Sequence, residues 1–147
     1  MTAAELQRRL DAAGVRFFRA TELLRIRHPS IARDVGITSE LFECTDAEAG
    51  ELVKVALVAD LLRGRFGAPL VVLNGLRPRP YNDRVTKAKN SKHVYGMAID
   101  LTCSDMPRLR AVAQGMFDEK RVGGLGLYRG NIHIDTRKRQ ALWGSQA

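Results

Sequence analysis

The sequence is poor in cysteine, histidine and aromatic residues. Its two cysteines, Cys44 and Cys103, do not form a C-x-x-C pair, which excludes a thiolate zinc finger and provides no disulfide framework, so we expect free thiols. Aromatic residues make up 6% of the chain and are not interleaved with basic ones, which argues against a stacking surface for nucleic acid. No apolar run is long enough to cross a membrane, and the N-terminus lacks the apolar core of a signal peptide. We therefore expect synthesis in the cytoplasm without a secretion signal.

What the chain does contain is an ordinary globular composition with excess positive charge. Its 147 residues are 45% hydrophobic, which predicts one domain, residues 1–147, with a core that needs no metal to fold. The net charge of +8 favours polyanions: nucleic acid, anionic membranes or the acidic polymers of a bacterial wall. The densest basic groups, Arg137 to Arg139 and Arg108 with Arg110, are short. A solvated basic surface is the simpler interpretation, and a nucleic-acid-binding domain is an alternative.

Apolar periodicity and turn residues predict a mixture of helices and strands. The predicted helices cover residues 3–13, 21–26 with Thr21 as cap, 46–66 and 104–117. The predicted strands cover residues 70–73, 97–102, 126–128 and 131–136. Residues 28–43 are predicted to be irregular, and residues 77–92 form a long polar loop of a length that is often functional. The pattern indicates an α+β domain.

The first candidate site lies between Asn90 and Leu101. In the predicted strand, Ala98 and Asp100 face one side while large apolar residues face the other. Gly96 allows a sharp turn before the strand, so that His93 folds back over Asp100. An imidazole and a carboxylate placed together in this way make half of a zinc site.

The second candidate site lies in the last predicted strand, where His133 and Asp135 face away from two isoleucines. His93, Asp100 and His133 would together supply three protein ligands and leave one zinc position open, the usual arrangement of a catalytic zinc. Each residue alone has an ordinary alternative, a hydrogen-bonded histidine in a strand or an aspartate that caps or pairs. The spacing by itself leaves both interpretations open.

The combined pattern resembles a known family. Its elements are Ser91-x-His93-x-x-Gly96-x-Ala98-x-Asp100, then Gly-x-Gly-x-Tyr ending at Tyr128, then His133-x-Asp135. This pattern resembles the zinc D-Ala-D-Ala carboxypeptidase family of metallopeptidases, and most of all its small branch of cell-wall carboxypeptidases and murein endopeptidases, many of them phage endolysins. The segments 73–82 and 17–24 resemble the strand that carries the family's arginine and the N-terminal helix of the branch. The resemblance covers about residues 17–143.

The resemblance implies a hedgehog/DD-peptidase-like α+β fold, in which helices flank a small antiparallel sheet that carries one zinc ion. It implies hydrolysis of peptide bonds next to D-amino acids in peptidoglycan, with His93, Asp100 and His133 as the metal ligands. Arg77 matches the arginine that stabilises the oxyanion or holds a substrate carboxylate, with an ordinary surface loop arginine as the alternative. We also predict that Ser91, Tyr95 and Tyr128 contact substrate. The alternatives are that Ser91 only starts the turn and that the two tyrosines are ordinary core or rim aromatics. The expected protein is a monomer with no specific nucleic-acid partner and no membrane span.

The chain departs from better-known members at the general base. Many relatives have Glu or Asp three residues before the last histidine, where this chain has Gly130. Asp135 is the best substitute, and it is equally suited to orienting His133. Leu76 and Arg79 also depart from the family pattern and bear on substrate specificity. A non-catalytic zinc module that binds cell wall is the alternative function. The expected setting is a phage lysis enzyme that reaches the wall after release, with a virion-associated or bacterial enzyme as alternatives.

Overall fold

A computed structural model of the chain describes residues 1–144, and the predicted domain therefore extends three residues beyond the described part. Its helices are α1 (Ala3–Ala12), α2 (Ala20–Leu23), α3 (Pro29–Asp34), α4 (Asp46–Phe66), α5 (Arg79–Val85) and α6 (Met106–Asp118). Helix α4 has the predicted bounds because each of its ends is flanked by a strong capping residue. Thr45 and Glu48 form a capping box at its start, and Gly67 ends it in the left-handed conformation, with φ 77°.

Two helices lie where irregular structure was predicted, and one predicted cap is wrong. Pro29 is in the first turn of α3 and Pro80 in the first turn of α5, where a missing N–H costs nothing because it would have no partner inside the helix. These prolines begin helices instead of interrupting them. Helix α2 starts at Ala20 after Arg19, so Thr21 lies inside the helix and not at its cap.

Within residues 1–144, five strands form one sheet. They are β1 (Val71–Asn74), β2 (Ala98–Thr102), β3 (Gly124–Leu127), β4 (Ile132–Asp135) and β5 (Ala141–Trp143), in the order β1-β2-β4-β3-β5. The first four strands pair antiparallel, as expected. Strand β5 was not predicted; it adds to β3 in parallel and makes the sheet mixed.

The sheet separates an apolar face from a polar one. Ile99, Leu101, Ile132 and Ile134 are fully buried on the apolar face, where α4 contacts β2 and β4 and α6 contacts β3. Since side chains alternate along a strand, Asp100 and His133 lie on the opposite face. Cys44 and Cys103 are free thiols, as predicted. Among residues 1–144, no helix has the length and apolarity needed to cross a membrane.

Candidate metal centre

Strand register places the polar residues in one row. Asn74 is opposite Asp100, Asp100 is opposite His133, His133 is opposite Gly126, and Gly126 is opposite Trp143. The row crosses all five strands on the face away from the core. Two of the three predicted metal ligands are therefore direct neighbours across the sheet.

His93 reaches this row from a one-turn 3-10 helix, Lys92–Tyr95, that ends at Gly96. Gly96 has φ 74°, and a Cβ atom there would lie 2.9 Å from the carbonyl oxygen of Glu48, so glycine meets both a conformational and a packing requirement. The turn brings His93 Nε2 to 3.1 Å from Asp100 Oδ1. On its other side, His93 Nδ1 lies 2.7 Å from the carbonyl oxygen of Gly75.

The hydrogen bonds of His93 leave its other ring nitrogen without a proton. A carbonyl oxygen only accepts, so Nδ1 of neutral His93 carries the hydrogen and Nε2 presents a lone pair to Asp100. His133 lies between two carboxylates, with Nε2 2.9 Å from Asp135 Oδ2 and Nδ1 3.1 Å from the same Asp100 oxygen. A protonated His133 satisfies both of its own contacts, but the contact between His93 and Asp100 still has no hydrogen. A cation among the three ligand atoms would satisfy that contact as well.

The donor set fits a divalent transition metal. His93 Nε2, Asp100 Oδ1 and His133 Nδ1 belong to a group whose ligand atoms all lie within 4.8 Å of one another. Two imidazole nitrogens and one carboxylate oxygen are ligands that zinc accepts, and three protein ligands leave a position open. The predicted ligands are thus brought together by the fold.

Burial and charge act differently on the three groups. Burial lowers the pKa of His93 and keeps it neutral, as a ligand must be. Burial opposes charge on His133 as well, but its hydrogen bonds to Asp100 and Asp135 raise its pKa above the ordinary value. For Asp100, burial is outweighed by the two imidazoles, which hold its pKa well below the usual range. Asn74 Nδ2 also donates to Asp100 Oδ2 at 2.9 Å, which leaves Oδ1 directed at the histidines.

The position of Asp135 argues against its role as general base. Its carboxylate is 0% exposed and accepts from His133, from the Arg137 backbone N–H at 3.0 Å and from the Arg137 guanidinium at 2.6 Å. Burial would raise its pKa, but His133 and Arg137 lower it well below the ordinary value. A carboxylate so placed is a poor proton acceptor. Its contact with His133 is consistent with the alternative prediction, that Asp135 orients this ligand.

Two glycines in β3 make room for side chains from neighbouring strands. A Cβ atom on Gly124 would lie 2.3 Å from Asp135 Oδ2, and one on Gly126 would lie 2.9 Å from Trp143 Nε1. The ring of Trp143 lies 5.2 Å from that of His133, and its Nε1 donates to the Tyr128 hydroxyl at 2.7 Å. The Gly-x-Gly-x-Tyr segment thus admits the aromatic pair Trp143 and Tyr128 as a wall beside the metal ligands.

The opposite side of the site is basic. Arg77 donates to Ser91 Oγ at 3.1 Å, and its backbone N–H donates to the carbonyl of His93. Burial lowers the pKa of Arg77, an effect opposed by the charge of Asp100. Arg79 donates to the Tyr95 hydroxyl at 3.3 Å. Arg77 and Ser91 therefore lie together at the metal ligands, while Tyr95 is an exposed residue held by Arg79.

Several residues of this site were absent from the predicted set. Asn74 falls within the family-like segment 73–82, Gly75 contributes only a backbone carbonyl, and Arg137 belongs to a short basic group of the sequence. Trp143 lies in a strand that was not predicted. For Arg137, alternation along the strand was a usable indication, because it lies two residues after Asp135. For Asn74 it was not, because the residues at even spacing are the buried Val72 and Leu76, and an irregularity in strand register between Val72 and Asn74 places Asn74 opposite Asp100. The carbonyl of Gly75 leaves no trace in the sequence.

Comparison with known proteins gives one functional indication. A family model described as Peptidase M15 matches residues 24–135, which is more than half of the chain and includes all three proposed ligands. The match agrees with the resemblance found in the motif. M15 peptidases are zinc-dependent, in agreement with zinc as the expected cofactor. No curated protein matches the chain significantly.

Proposed function

This chain belongs to the peptidase M15 family, and from that premise we propose that it is a zinc-dependent hydrolase of peptide bonds in bacterial peptidoglycan, acting as a D,D-carboxypeptidase or an endopeptidase. The observation that carries the proposal is the convergence of His93 Nε2, His133 Nδ1 and Asp100 Oδ1, in which the contact between His93 and Asp100 has no hydrogen. An ordinary buried network would not leave the contact between His93 and Asp100 without a donor.

The three ligands would hold zinc. When bound, zinc supplies Lewis acidity, which polarises a carbonyl group and makes water a better nucleophile near neutral pH. Asn74 and Gly75 maintain the ligand atoms in their orientation, since one bonds the free oxygen of Asp100 and the other fixes the tautomer of His93.

Arg77 and the aromatic wall would bind substrate from opposite sides. Ser91 anchors the guanidinium of Arg77 beside His93, where a fixed positive charge suits the oxygen of a carbonyl or a terminal carboxylate. Tyr128 and Trp143 offer an apolar surface and a hydroxyl on the other side. Tyr95, held by Arg79, would line the outer cleft.

We assign Asp135 to positioning of His133, and an Asp135→Asn variant tests this against the general-base alternative. The amide can no longer accept from His133 and Arg137 with a full charge, so zinc affinity should fall by about tenfold or more. A general base would instead show normal zinc affinity and a loss confined to kcat. That second pattern would overturn the assignment.

The proposed function is tested by zinc content together with peptide release from purified peptidoglycan, with and without a chelator. We expect about one zinc ion per chain and cleavage that stops when the metal is removed. His133→Ala should abolish both. His28→Ala is the matched control, because His28 is an exposed histidine outside the cluster. Cleavage that persists in the metal-free protein or in His133→Ala would refute the proposal.

A second function has one observation in its favour. The carboxylate nearest to the metal ligands, Asp135, is fully bonded, and the position expected for a base is an exposed glycine, Gly130. A zinc module that binds cell wall without cutting it would look the same at these positions. Stoichiometric zinc and wall binding, with no product from peptidoglycan of any cross-link type, would favour that module.

We further propose that the protein acts on the wall after release from the cytoplasm, as a monomeric phage lysis enzyme. The net charge of +8 supports this setting, because it attracts the protein to an anionic wall. Expression in a bacterial cytoplasm should leave cells intact until a membrane pore is supplied, and then lyse them. Lysis without the pore, or intact cells with it, would contradict this setting.

A further inference from the structure

A groove of about 470 Å3 lies apart from the metal centre, at the end of the sheet where β3 begins and β4 ends. Its lining includes four basic side chains, Lys120, Arg121, Arg137 and Lys138, together with Thr136. None of the nine lining residues is acidic or aromatic. A groove lined by basic side chains and no carboxylates has a positive electrostatic potential that attracts anions.

Three of these cations are uncommitted. Arg137 is bound to the carboxylate of Asp135 and lies over the ring of Trp143. Lys120, Arg121 and Lys138 form no ion pair with any carboxylate of residues 1–144. The nearest acidic neighbour in sequence, Glu119, is taken by two hydrogen bonds from Arg65, at 2.6 and 3.0 Å. The groove therefore presents positive charge that the described protein does not neutralise.

Backbone geometry gives an independent indication at Lys120. This residue follows the last turn of α6 with φ 62°, the left-handed conformation that usually belongs to glycine at this position. A lysine there carries conformational strain that glycine would relieve. Strain of this kind is often retained where the side chain has a function, and this side chain lines the groove.

The groove lies at the end of the sheet and is lined from both of its faces, with Arg137 on the side of the metal ligands. Thr136 follows Asp135 and continues the pairing through its N–H bond to Met97, so its side chain faces away from that of Asp135. Val58 of α4, the helix that packs on the core face, lines the same groove. The hydroxyl of Thr136 is buried there without a hydrogen-bond partner among residues 1–144. The lining of the groove contains none of the three metal ligands.

We propose that this groove binds the phosphodiester backbone of an anionic cell-wall polymer, a polyol phosphate, and so holds the protein on its substrate. Phosphate oxygens suit three free cations and an unpaired hydroxyl. Single-stranded nucleic acid is disfavoured because its binding sites combine basic residues with aromatic stacking, and the lining has no aromatic side chain. The anion site stands on the groove alone, whereas the choice of a wall polymer rests on the proposed function.

The test is binding of the zinc-loaded protein to poly(glycerol phosphate), measured by calorimetry at physiological salt. The site variant replaces Lys120, Arg121 and Lys138 by Glu. The control variant replaces Arg8, Arg25 and Arg33 by Glu, which makes the same change in net charge at three exposed positions outside the groove. We expect the affinity for the polymer to fall by about tenfold or more in the site variant and by about twofold in the control variant. Equal losses would show that only net charge matters and would overturn the proposal.

Two further measurements identify the ligand. Single-stranded DNA at the same phosphate concentration should bind more weakly than the polymer; tighter DNA binding that the site variant abolishes would assign the groove to nucleic acid. Lys120→Gly should raise the melting temperature while weakening polymer binding, because it removes strain and charge together. Unchanged polymer binding in Lys120→Gly would count against the proposal.

The outcome is separable from that of the proposed function. Hydrolysis of a soluble stem peptide does not require attachment to the wall, so both triple variants should cleave it at the wild-type rate. Polymer binding without any peptide cleavage would leave the groove assigned and refute the peptidase. Peptide cleavage without polymer binding would do the reverse.

Discussion

At the scale of single residues, the metal centre contains two histidines that look alike and behave differently. His93 is enclosed and donates to a neutral carbonyl, so burial dominates and lowers its pKa. His133 lies between two carboxylates, whose hydrogen bonds outweigh burial and raise its pKa. In the metal-free protein, His133 is therefore the ligand that carries a proton, and zinc must displace it.

This difference predicts how zinc affinity depends on pH. Zinc affinity should increase as the pH rises above 6.5, the ordinary value for histidine, and level off above the raised pKa of His133. The metal-free protein should show the opposite trend. A raised folded-state pKa contributes stability that is complete below 6.5 and is lost as the pH rises through the folded value. Chelator competition and urea unfolding over about pH 6 to 9 measure both trends, and a flat zinc affinity would contradict the assignment.

A second prediction concerns Arg137, which fixes Asp135 and through it His133. Arg137→Gln removes the guanidinium contacts to Asp135, so zinc affinity should fall by about tenfold. The zinc affinity of Arg137→Lys should lie between those of Arg137→Gln and the wild type, because lysine keeps the positive charge but lacks the planar guanidinium group. Arg139→Gln, an exposed arginine two residues away, is the control for charge. Equal zinc affinity in the two glutamine variants would refute the positioning role.

At the scale of elements, β3 shapes the metal centre because its glycines leave space for side chains of neighbouring strands. Gly124 and Gly126 are buried strand residues, and glycine in a strand interior marks close approach of other groups. Here those groups are the carboxylate of Asp135 and the ring of Trp143. The strand thus allows Asp135 and Trp143 to contact His133, although β3 itself contributes no side chain to the site.

Gly124→Ala tests this role of β3. The added methyl would meet an anchored carboxylate, so we expect a loss of about 1–3 kcal/mol in the free energy of unfolding and weaker zinc binding. Gly115→Ala in α6 is the matched control: a Cβ there meets no atom within 4 Å, and alanine favours the helix by about 0.5–1 kcal/mol. Thermal unfolding of the metal-free and zinc-loaded forms separates the two effects. Stability equal to wild type in Gly124→Ala would contradict the packing argument.

The elements also show what the sequence could and could not predict. Helix α4 has its predicted bounds because residues that favour helix ends flank it on both sides. Strands β2 and β4 lie within the predicted strands 97–102 and 131–136, which alternation of polar and apolar residues indicated. Strand β5 has three residues in a parallel pairing, too short for periodicity to register. The hydrogen bond from His93 to Gly75 depends on the crossing of distant backbone segments. The three metal ligands could therefore be predicted from local sequence patterns, whereas the groups that orient them could not.

At the scale of the whole molecule, the core and the metal centre occupy opposite faces of one sheet. The core consists of buried apolar residues from the sheet and the surrounding helices, including Ile99 and Ile134 of the sheet, Leu52 of α4 and Leu109 of α6, and it contains no metal ligand. Hydrophobic burial of this extent is the main source of stability. The fold should therefore persist without zinc, and zinc should add stability through binding alone.

That separation predicts the size of the zinc effect. Free zinc at about 100 times its Kd should add about 2.7 kcal/mol, or about 5–10 °C in Tm for a domain of this length. His133→Ala should keep the helical circular dichroism spectrum and lose the zinc-dependent shift, while His28→Ala should keep both. Unfolding of the wild type on chelation would show that the metal is structural.

Because Asp100 and His133 are neighbours in the cross-strand row from Asn74 to Trp143, metal binding depends on correct pairing of their strands. If β4 slipped by one residue against β2, an isoleucine would take the place of His133 and the imidazole would turn into the core. A molecule with that error could not complete the ligand set. The fraction of a sample able to take up zinc thus counts the correctly paired molecules, and an immobilised-metal step could separate them from misfolded ones that share their helix content.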